Sequence, residues 1–227
     1  MARDHSIPIF LVVTAMALGV ALVIRPLGPE QASAGSTAGS GISYQVSCAS
    51  CHGSRGEGNR ELGAPAIASL PEWFVVEQLA KFREGLRGRD PRDVRGGQMR
   101  AAVLPLSAEA LGEAISELLS LPDVPPPPTR GGDTTRGGES YRELCMECHR
   151  YNGRGELAFR SAPLAVLPDW YLAAQIEKFL DGSRGGHPDD EAGAKMREMA
   201  KRPRDAEELA NILAYVSTLA REYPEGE

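Results

Sequence analysis

A five-residue pattern that occurs twice constrains the fold of this chain more than any other feature. The pattern is Cys48-Ala49-Ser50-Cys51-His52 in the first half and Cys145-Met146-Glu147-Cys148-His149 in the second. Two cysteines separated by two residues and followed directly by histidine form the covalent attachment motif of a c-type haem. One helical turn presents both thiols to one edge of the porphyrin, and the next residue supplies an axial imidazole to the iron. The sequence therefore predicts two covalently attached haem c groups.

Two other interpretations of a Cys-x-x-Cys pair are a zinc half-site and a redox-active dithiol. Zinc requires further cysteine or histidine ligands. All four cysteines lie within the two motifs, and only His5 and His187 of the four histidines lie outside them. A redox dithiol does not require the histidine that follows both pairs, so the residue counts favour haem.

The composition agrees with cores that are built around large cofactors. Aromatic residues make up only 6% of the 227 residues, and domains of roughly 80 residues often recruit a cofactor or a covalent staple for stability. The formal net charge of −6 and the lack of a basic aromatic platform argue against binding of nucleic acid.

The second half of the chain repeats the first at a constant offset of 97 residues. Besides the two motifs, the offset pairs Tyr44 with Tyr141, Trp73 with Trp170, Gln78 with Gln175, Phe82 with Phe179 and Met99 with Met196. Such a repeat indicates two copies of one haem-binding domain, at residues 42–122 and 139–227. Residues 123–138 between them contain a proline run and are predicted to form a semi-rigid linker.

The apolar pattern of each copy is helical, and no run alternates in the manner of a strand. In the first copy we predict helices over Tyr44–His52, from Pro71 to near Gly85 and from Ser107 to Leu121. Their counterparts in the second copy are Tyr141–His149, Pro168–Leu180 and about Asp205–Ala220. Met99 is placed in a loop before the last helix. The predicted fold class is therefore all-α.

Methionine is the natural candidate for the second axial ligand of each iron. Met99 is the only methionine of the first domain, which has no histidine besides His52, so a soft thioether is the remaining partner. In the second domain Met196 and Met199 compete, and the repeat offset selects Met196. The predicted iron ligands are therefore His52 with Met99 and His149 with Met196.

A basic stretch in the first domain has two possible roles. It consists of Arg83, Arg87, Arg89, Arg92 and Arg95. These arginines either pair with haem propionates or face an acidic protein partner, and the sequence leaves both interpretations open.

The N-terminal segment is predicted to anchor the chain in a membrane. Residues 6–24 carry no formal charge, and as a helix they span roughly 28 Å, close to the ~30 Å hydrocarbon core of a bilayer. The apolar region of a secretory signal is shorter, at about 7 to 15 residues, although Ala32-Ser33-Ala34 resembles a cleavage site and keeps a cleaved signal peptide open. We assign residues 1–25 to a transmembrane helix and residues 26–41, rich in Gly, Ala and Ser, to a flexible tether.

The order of these features resembles a class I cytochrome c domain. Each copy has an attachment motif on its first helix, a Gly-rich loop, a Leu-Pro-x-Trp helix, a methionine and a closing amphipathic helix. Two such domains in tandem are similar to the dihaem cytochrome c4 family, over residues 42–121 and 139–221. The resemblance implies an all-helical pair of haem domains that transfers electrons in the bacterial periplasm. With the anchor, the expected location is the periplasmic side of the inner membrane.

Histidine and methionine ligands close both coordination spheres, which favours an electron carrier over an enzyme. The expected partners are a quinol:cytochrome c reductase as donor and a terminal oxidase or reaction centre as acceptor, in a respiratory or photosynthetic chain. The protein acts either as a tethered carrier or as a fixed subunit of a larger membrane complex. A dihaem peroxidase is the alternative, and it requires one iron that can open a coordination position.

Overall fold

The computed structural model describes residues 43–224, which form α-helices joined by loops and two short 3₁₀ turns. The helices of the first domain are α1 (Tyr44–Ser47), α2 (Ala49–His52), α3 (Glu72–Glu84), α4 (Val94–Val103) and α5 (Ala108–Leu119). Those of the second domain are α6 (Thr134–Leu144), α7 (Met146–His149), α8 (Asp169–Asp181), α9 (Glu191–Met199) and α10 (Ala206–Glu222), with the 3₁₀ turns at Leu157–Phe159 and Leu164–Val166. Between residues 43 and 224 strand-like pairing is limited to two isolated bridges, so the predicted all-α class is confirmed there.

Each attachment motif bends at its first cysteine, so the predicted single helix is in fact two. The backbone leaves the helical region at Cys48 (φ −120°, ψ −37°) and at Cys145 (φ −123°, ψ −34°). Hydrogen bonding continues across the bend, because the amides of His52 and His149 donate to the carbonyls of these cysteines, each at 3.0 Å. The second cysteine and the histidine of each motif therefore share one short, hydrogen-bonded turn.

The predicted central helices are confirmed to within about a residue at each end. Pro71 and Pro168 precede α3 and α8, where a missing amide hydrogen costs no intrahelical bond. Gly85 and Gly182 end these helices in the left-handed conformation, with φ of 78° and 80°. A residue without a side chain adopts that conformation at little cost.

The candidate methionines lie on helices, and their predicted placement in a loop is wrong. Met99 lies on α4 and Met196 on α9. Asp93 caps α4 by accepting from the amide of Gly96 at 2.8 Å, and a Cβ at Gly96 would meet the Asp93 carboxylate at only 2.0 Å. Glycine is therefore required for this cap. Gly96 lowers the helix propensity of this stretch, yet it is the residue that allows the helix to start.

Helix α6 begins at Thr134, inside the segment that was predicted to be linker up to residue 138. The Asp133 carboxylate caps it by accepting from the amides of Thr135 and Arg136 at 2.9 and 3.1 Å. A Cβ at Gly137 would lie 1.9 Å from the Asn211 carbonyl oxygen, so glycine lets α6 pack closely on α10. Tertiary contact thus offsets the low helix propensity of the Gly-containing sequence.

The proline-rich linker is tied to both domains. In the first domain Ser69 Oγ accepts from the amide of Val124 at 3.2 Å. In the second domain the buried Asp169 carboxylate accepts from the Thr129 amide, the Thr129 hydroxyl and the Arg130 amide, at 2.6, 2.6 and 2.7 Å. That the segment limits reorientation of the two domains stays a prediction.

A tyrosine lies at the centre of each domain. Tyr44 and Tyr141 are both 0% exposed, and their hydroxyls donate to the carbonyls of Gly53 at 2.6 Å and Arg150 at 2.7 Å. These bonds connect the first helix of each domain to the residue that follows its attachment motif. The same buried cluster includes Leu118 of α5 and Leu219 of α10, so the first and last helices of each domain pack together.

Within residues 43–224 no helix is both long enough and apolar enough to span a bilayer. The predicted anchor at residues 1–25 and tether at 26–41 lie outside the described residues.

Candidate haem sites

A backbone carbonyl fixes the histidine of each attachment motif. The Nδ1 atom of His52 lies 2.9 Å from the Pro65 carbonyl oxygen, and that of His149 lies 2.8 Å from the Ala162 carbonyl oxygen. A carbonyl only accepts, so Nδ1 carries the hydrogen and the neutral ring has its lone pair on Nε2. Burial lowers the pKa of both histidines, which favours the neutral, metal-binding form. The hydrogen bond at Nδ1 fixes the orientation of each ring, as it does in histidines that bind a metal through Nε2.

The cysteines have the properties of attachment thiols. All four are free, Cys51 and Cys148 are exposed, and Cys48 and Cys145 are partly buried. Burial raises the pKa of Cys48, and it raises that of Cys145 to about 12, whereas reactive dithiols have a lowered pKa. Within residues 43–224 no group of three or more His, Cys, Asp and Glu side chains is placed to hold a metal ion.

A mainly apolar cavity of about 280 Å³ adjoins the second motif. Its wall includes Cys145, Cys148 and His149 together with Met196 and Met199. An apolar wall, two thiols, an imidazole nitrogen and a thioether sulfur are the groups that hold a covalently attached haem, so the residues fit this cofactor. Because both methionines reach the wall, the choice of Met196 over Met199 stays a prediction, as does the assignment of Met99 in the first domain.

Reciprocal ion pairs join the two domains beside this cavity. The Lys81 ammonium of α3 lies 2.9 Å from Asp190, and the Lys178 ammonium of α8 lies 2.5 Å from Asp93. Asp93 and Asp190 are the N-caps of α4 and α9. Each domain therefore holds the start of the other domain's methionine-bearing helix.

Two arginines and two glutamines form the centre of the same interface. Arg87 donates to Gln78 at 2.7 Å and to Gln175 at 3.1 Å. Arg184 donates to Gln175 at 2.7 Å and to Gln78 at 3.2 Å. Arg87 also donates to the Tyr171 hydroxyl at 2.6 Å. Apart from this last bond, every contact has a counterpart related by the repeat offset.

Sequence reasoning gave no role to this network, although a signal for it was present. The offset that pairs Gln78 with Gln175 also pairs Lys81 with Lys178, Arg87 with Arg184 and Asp93 with Asp190. An interface with two-fold symmetry puts the same residue types on both sides. Identical polar residues at positions 97 apart were therefore the sequence signal for this interface.

The arginines of the basic stretch separate in the structure. Arg87 is only 7% exposed, whereas Arg92 pairs with Asp90 on the surface and donates to the Asp181 carbonyl at 2.8 Å. Arg95 donates to the Glu61 carbonyl at 3.3 Å. The stretch thus contains interface and surface residues and does not present one continuous basic face.

Comparison with known sequences identifies the cytochrome c family. The cytochrome c domain family matches residues 134–220. A thiosulfate dehydrogenase electron acceptor of Thiomonas intermedia is 32% identical, over 63% of this chain and 67% of its own length. A cytochrome bc1 complex cytochrome c subunit of Mycobacterium leprae is 28% identical, over 96% of this chain and 75% of its own length.

Solved structures agree with the sequence relatives. A thiosulfate dehydrogenase from Marichromatium purpuratum superposes with a TM-score of 0.56 at 29% identity, over 75% of this chain. The match spans 36% of that longer protein. Cytochrome c4 of Acidithiobacillus ferrooxidans superposes with a TM-score of 0.60 at 20% identity, over 77% of this chain and 99% of that structure. The predicted similarity to cytochrome c4 is confirmed at the level of the fold, and the chain belongs to the cytochrome c family.

Proposed function

We propose that this protein is a dihaem c-type cytochrome that transfers electrons and is not itself an enzyme. The observation that carries the proposal is the repetition of one complete site. In each domain a Cys-x-x-Cys pair precedes a histidine whose Nδ1 is bonded to a carbonyl, at 2.9 Å in the first domain and 2.8 Å in the second. Met99 and Met196 lie on the equivalent helices α4 and α9. We assign His52 with Met99 and His149 with Met196 as iron ligands.

The protein residues have distinct tasks in this function. The cysteines attach the cofactor, so that it stays bound in both oxidation states. His52 and His149 are held in one orientation by the carbonyls of Pro65 and Ala162, which limits rearrangement when the charge on the iron changes. The apolar wall excludes water, which favours the less charged reduced state. When bound, each haem supplies a one-electron couple whose potential methionine ligation raises.

Haem counting tests the proposal directly. Pyridine haemochrome absorbance per protein should correspond to two haems, and a haem stain should follow the polypeptide through denaturing electrophoresis. The double variant Cys48→Ala, Cys51→Ala should retain half of the haem, and so should Cys145→Ala, Cys148→Ala. A single haem in the wild type, or complete loss of stain on boiling in detergent, would contradict the proposal.

The peroxidase alternative predicts a different reactivity. Two six-coordinate irons should bind carbon monoxide poorly in the ferrous protein and should not turn over hydrogen peroxide. An enzyme with one open iron should bind carbon monoxide at half stoichiometry and reduce peroxide rapidly. The two outcomes are distinguished by titration with carbon monoxide followed by a peroxide assay.

For the electron donor, we propose an enzyme that oxidises thiosulfate. Support comes from the Thiomonas relative, which is 32% identical and is named as an electron acceptor of thiosulfate dehydrogenase. A fixed place in a quinol-oxidising complex is the second candidate, favoured by the 28% identity to a bc1 cytochrome c subunit over 96% of this chain. Stopped-flow mixing with a thiosulfate dehydrogenase and thiosulfate, or with a bc1 complex and quinol, separates the two. Faster reduction by the bc1 complex would favour the second candidate.

We further propose that residues 1–25 anchor the protein in the inner membrane, with both haem domains in the periplasm. The support is the uncharged segment 6–24, which has the length of a bilayer span. The intact mass should begin near Met1, and the protein should resist extraction with carbonate. A mature N-terminus near Gly35 in the soluble fraction would instead indicate a cleaved signal peptide.

A further inference from the structure

The wall of the second domain's cavity carries an excess of positive charge, and part of it comes from the first domain. Its cationic residues are Lys81, Arg87, Arg160, Arg184 and Lys195, and its one acidic residue is Asp190. Lys81 and Arg87 belong to the first domain. A cavity that is otherwise mainly apolar thus collects five cations against one carboxylate, and two of those cations are supplied across the domain interface.

Arg87 is buried without an anionic partner of its own. It is 7% exposed, and its three hydrogen bonds go to Gln78, Tyr171 and Gln175, which are all neutral. Its Nε atom is buried and has no hydrogen-bond partner. A buried guanidinium is costly unless an anion compensates its charge, so the site is electrostatically incomplete as the polypeptide alone.

Arg184 adds a second positive charge beside Arg87. Its guanidinium shares Gln78 and Gln175 with Arg87, which brings two like charges together. Burial, with repulsion from Arg87, lowers the pKa of Arg184 to about 9. The nearby Asp93 and Asp190 are already engaged by Lys178 and Lys81.

Backbone strain marks the same wall. Arg160 has φ of 53° in the left-handed region, whereas the equivalent residue of the first domain is Gly63. An arginine is strained in this conformation. A guanidinium is therefore kept at the cavity wall despite a conformation that favours glycine.

We propose that Arg87 of the first domain, together with Arg184, binds the propionate carboxylates of the haem that is attached at Cys145 and Cys148. This inference rests on the proposed function. The second haem site is then completed by the first domain, with Arg87 as a positioning residue for that haem. Arginine binds carboxylates with charge-assisted, often bidentate hydrogen bonds. A positive charge beside the cofactor also disfavours the ferric state, so the interface raises the potential of the second haem.

The test measures the potential of the second haem alone. In a Met99→Ala background the first haem loses its thioether and titrates at a much lower potential, which leaves the upper step to the haem held by His149. We expect Arg87→Gln to lower that upper midpoint by about 59 mV or more, which is a tenfold change in a one-electron equilibrium. Arg87→Lys keeps the charge and should show a smaller shift.

Arg92→Gln is the matched control. Arg92 also bonds across the domain interface, to the Asp181 carbonyl at 2.8 Å, but it does not line the cavity. Loss of a general domain contact therefore predicts equal shifts in Arg87→Gln and Arg92→Gln, and that result would overturn the inference. A shift of the first haem in place of the second, measured in a Met196→Ala background, would overturn it as well.

Two further measurements distinguish failure of this inference from failure of the proposed function. A parent protein that lacks two haems by pyridine haemochrome contradicts the proposed function itself. If Arg87→Gln does not accumulate, resonance Raman spectra of Arg87→Lys decide the question through the propionate bending modes. These modes should move relative to the parent, and an unchanged propionate spectrum would reject the contact.

Discussion

The two repeats differ most clearly at two backbone positions that have positive φ. The first domain has Gly53 and Gly63 there, with φ of 82° and 68°. The second has Arg150 and Arg160, with φ of 67° and 53°, and these are the only non-glycine residues with positive φ in the part of the chain that the structure describes. The fold requires the same conformation in both copies, and only the second fills it with a residue that is strained by it.

Each arginine gains contacts that partly offset this strain. Arg150 pairs with Glu156 at 2.5 Å and lies over the ring of Phe159, with its guanidinium carbon 5.2 Å from the ring centre. Arg160 reaches across the interface to Glu77 of the first domain at 3.4 Å. The two copies therefore share the backbone conformation at both positions, and Arg160 also places a charge at the cavity wall and against the first domain.

The reciprocal ion pairs differ in a related way. Lys81 lies between two carboxylates, Glu77 at 3.1 Å and Asp190 at 2.9 Å. The position equivalent to Glu77 in the second domain is Ala174, so no such second acid accompanies Lys178 on α8. The interface is therefore symmetric in its geometry and asymmetric in its charge.

The largest expected effect concerns the axial ligands, where the repeat predicts equal behaviour of the two domains. Met99→Ala and Met196→Ala should each remove about half of the near-infrared band that arises from sulfur-to-iron charge transfer, because each opens one iron. Met199→Ala should leave the band intact. Absorption spectra of the ferric proteins provide the measurement. Loss of half of the band in Met199→Ala, with Met196→Ala unaffected, would place the ligand one helical turn later than the repeat predicts.

The second prediction uses the charge asymmetry of the ion pairs. Lys178→Met leaves the buried Asp93 carboxylate uncompensated and should lower the free energy of unfolding by about 3 kcal/mol. Lys81→Met should cost more, because it leaves Asp190 and Glu77 close together without the lysine between them. Urea denaturation of both variants measures the difference.

Glu77→Ala is the matched control for this difference, since alanine is the residue at the equivalent position of the second domain. Combined with Lys81→Met, it should bring the loss close to that of Lys178→Met. If the two lysine variants are equally stable while Glu77 is present, then Glu77 does not contribute to the asymmetry.

The third prediction concerns the linker and compares Asp169 with Glu72, its equivalent in the first domain. Asp169→Asn weakens the charge-assisted bonds from Thr129 and Arg130 and should cost about 1.5–3 kcal/mol. Glu72 is exposed, so Glu72→Gln should change stability by less than about 0.5 kcal/mol. Thermal or urea unfolding gives both values, and equal losses would show that the linker contacts do not stabilise the folded chain.

The same carboxylate gives a pH dependence with a defined sign. Burial raises the pKa of Asp169, but the hydrogen bonds from Thr129, Arg130 and Trp170 outweigh it and leave the pKa below its ordinary value. A depressed folded pKa contributes stability above the unfolded value of about 3.9, and that contribution is lost as the pH falls through the folded pKa. The difference in stability between wild type and Asp169→Asn should therefore shrink below about pH 4.

Much of the fold was predictable because local signals and the repeat agreed. The boundaries of α3 and α8 follow from Pro71 and Gly85 and from their counterparts Pro168 and Gly182, since these residues act through backbone geometry alone. The attachment motifs were recognisable for the same reason, because covalent chemistry fixes their spacing. Helix ends and covalent motifs of this kind can be predicted from the sequence without a structure.

Helix α4 and the start of α6 were not predicted because their glycines are typical of loops. Gly96 and Gly137 lower helix propensity, yet each is required by a close approach, to the Asp93 cap and to the Asn211 carbonyl respectively. The interface network was missed for a different reason. Its residues are distant in the sequence, with Arg87 and Gln175 separated by 88 positions, and only the two-fold arrangement of the domains brings them together.

The smallest expected effect concerns the backbone strain at Arg150, a position that is Gly53 in the first domain. At an ordinary position Gly is less stable than Ala because it loses more entropy on folding, but Arg150 has φ of 67° and ψ of 161°, a region that is almost exclusive to glycine. Arg150→Gly should therefore be more stable than Arg150→Ala by about 1 kcal/mol. Both variants lose the same solvent-screened ion pair with Glu156, so their difference in stability isolates the effect of the backbone. Urea denaturation of the two variants, with Gly53→Ala as the reverse change in the first domain, gives the measurement. Gly53→Ala should be destabilising because it introduces a side chain at φ of 82°, and a more stable Arg150→Ala than Arg150→Gly would show that the second domain carries no strain at this position.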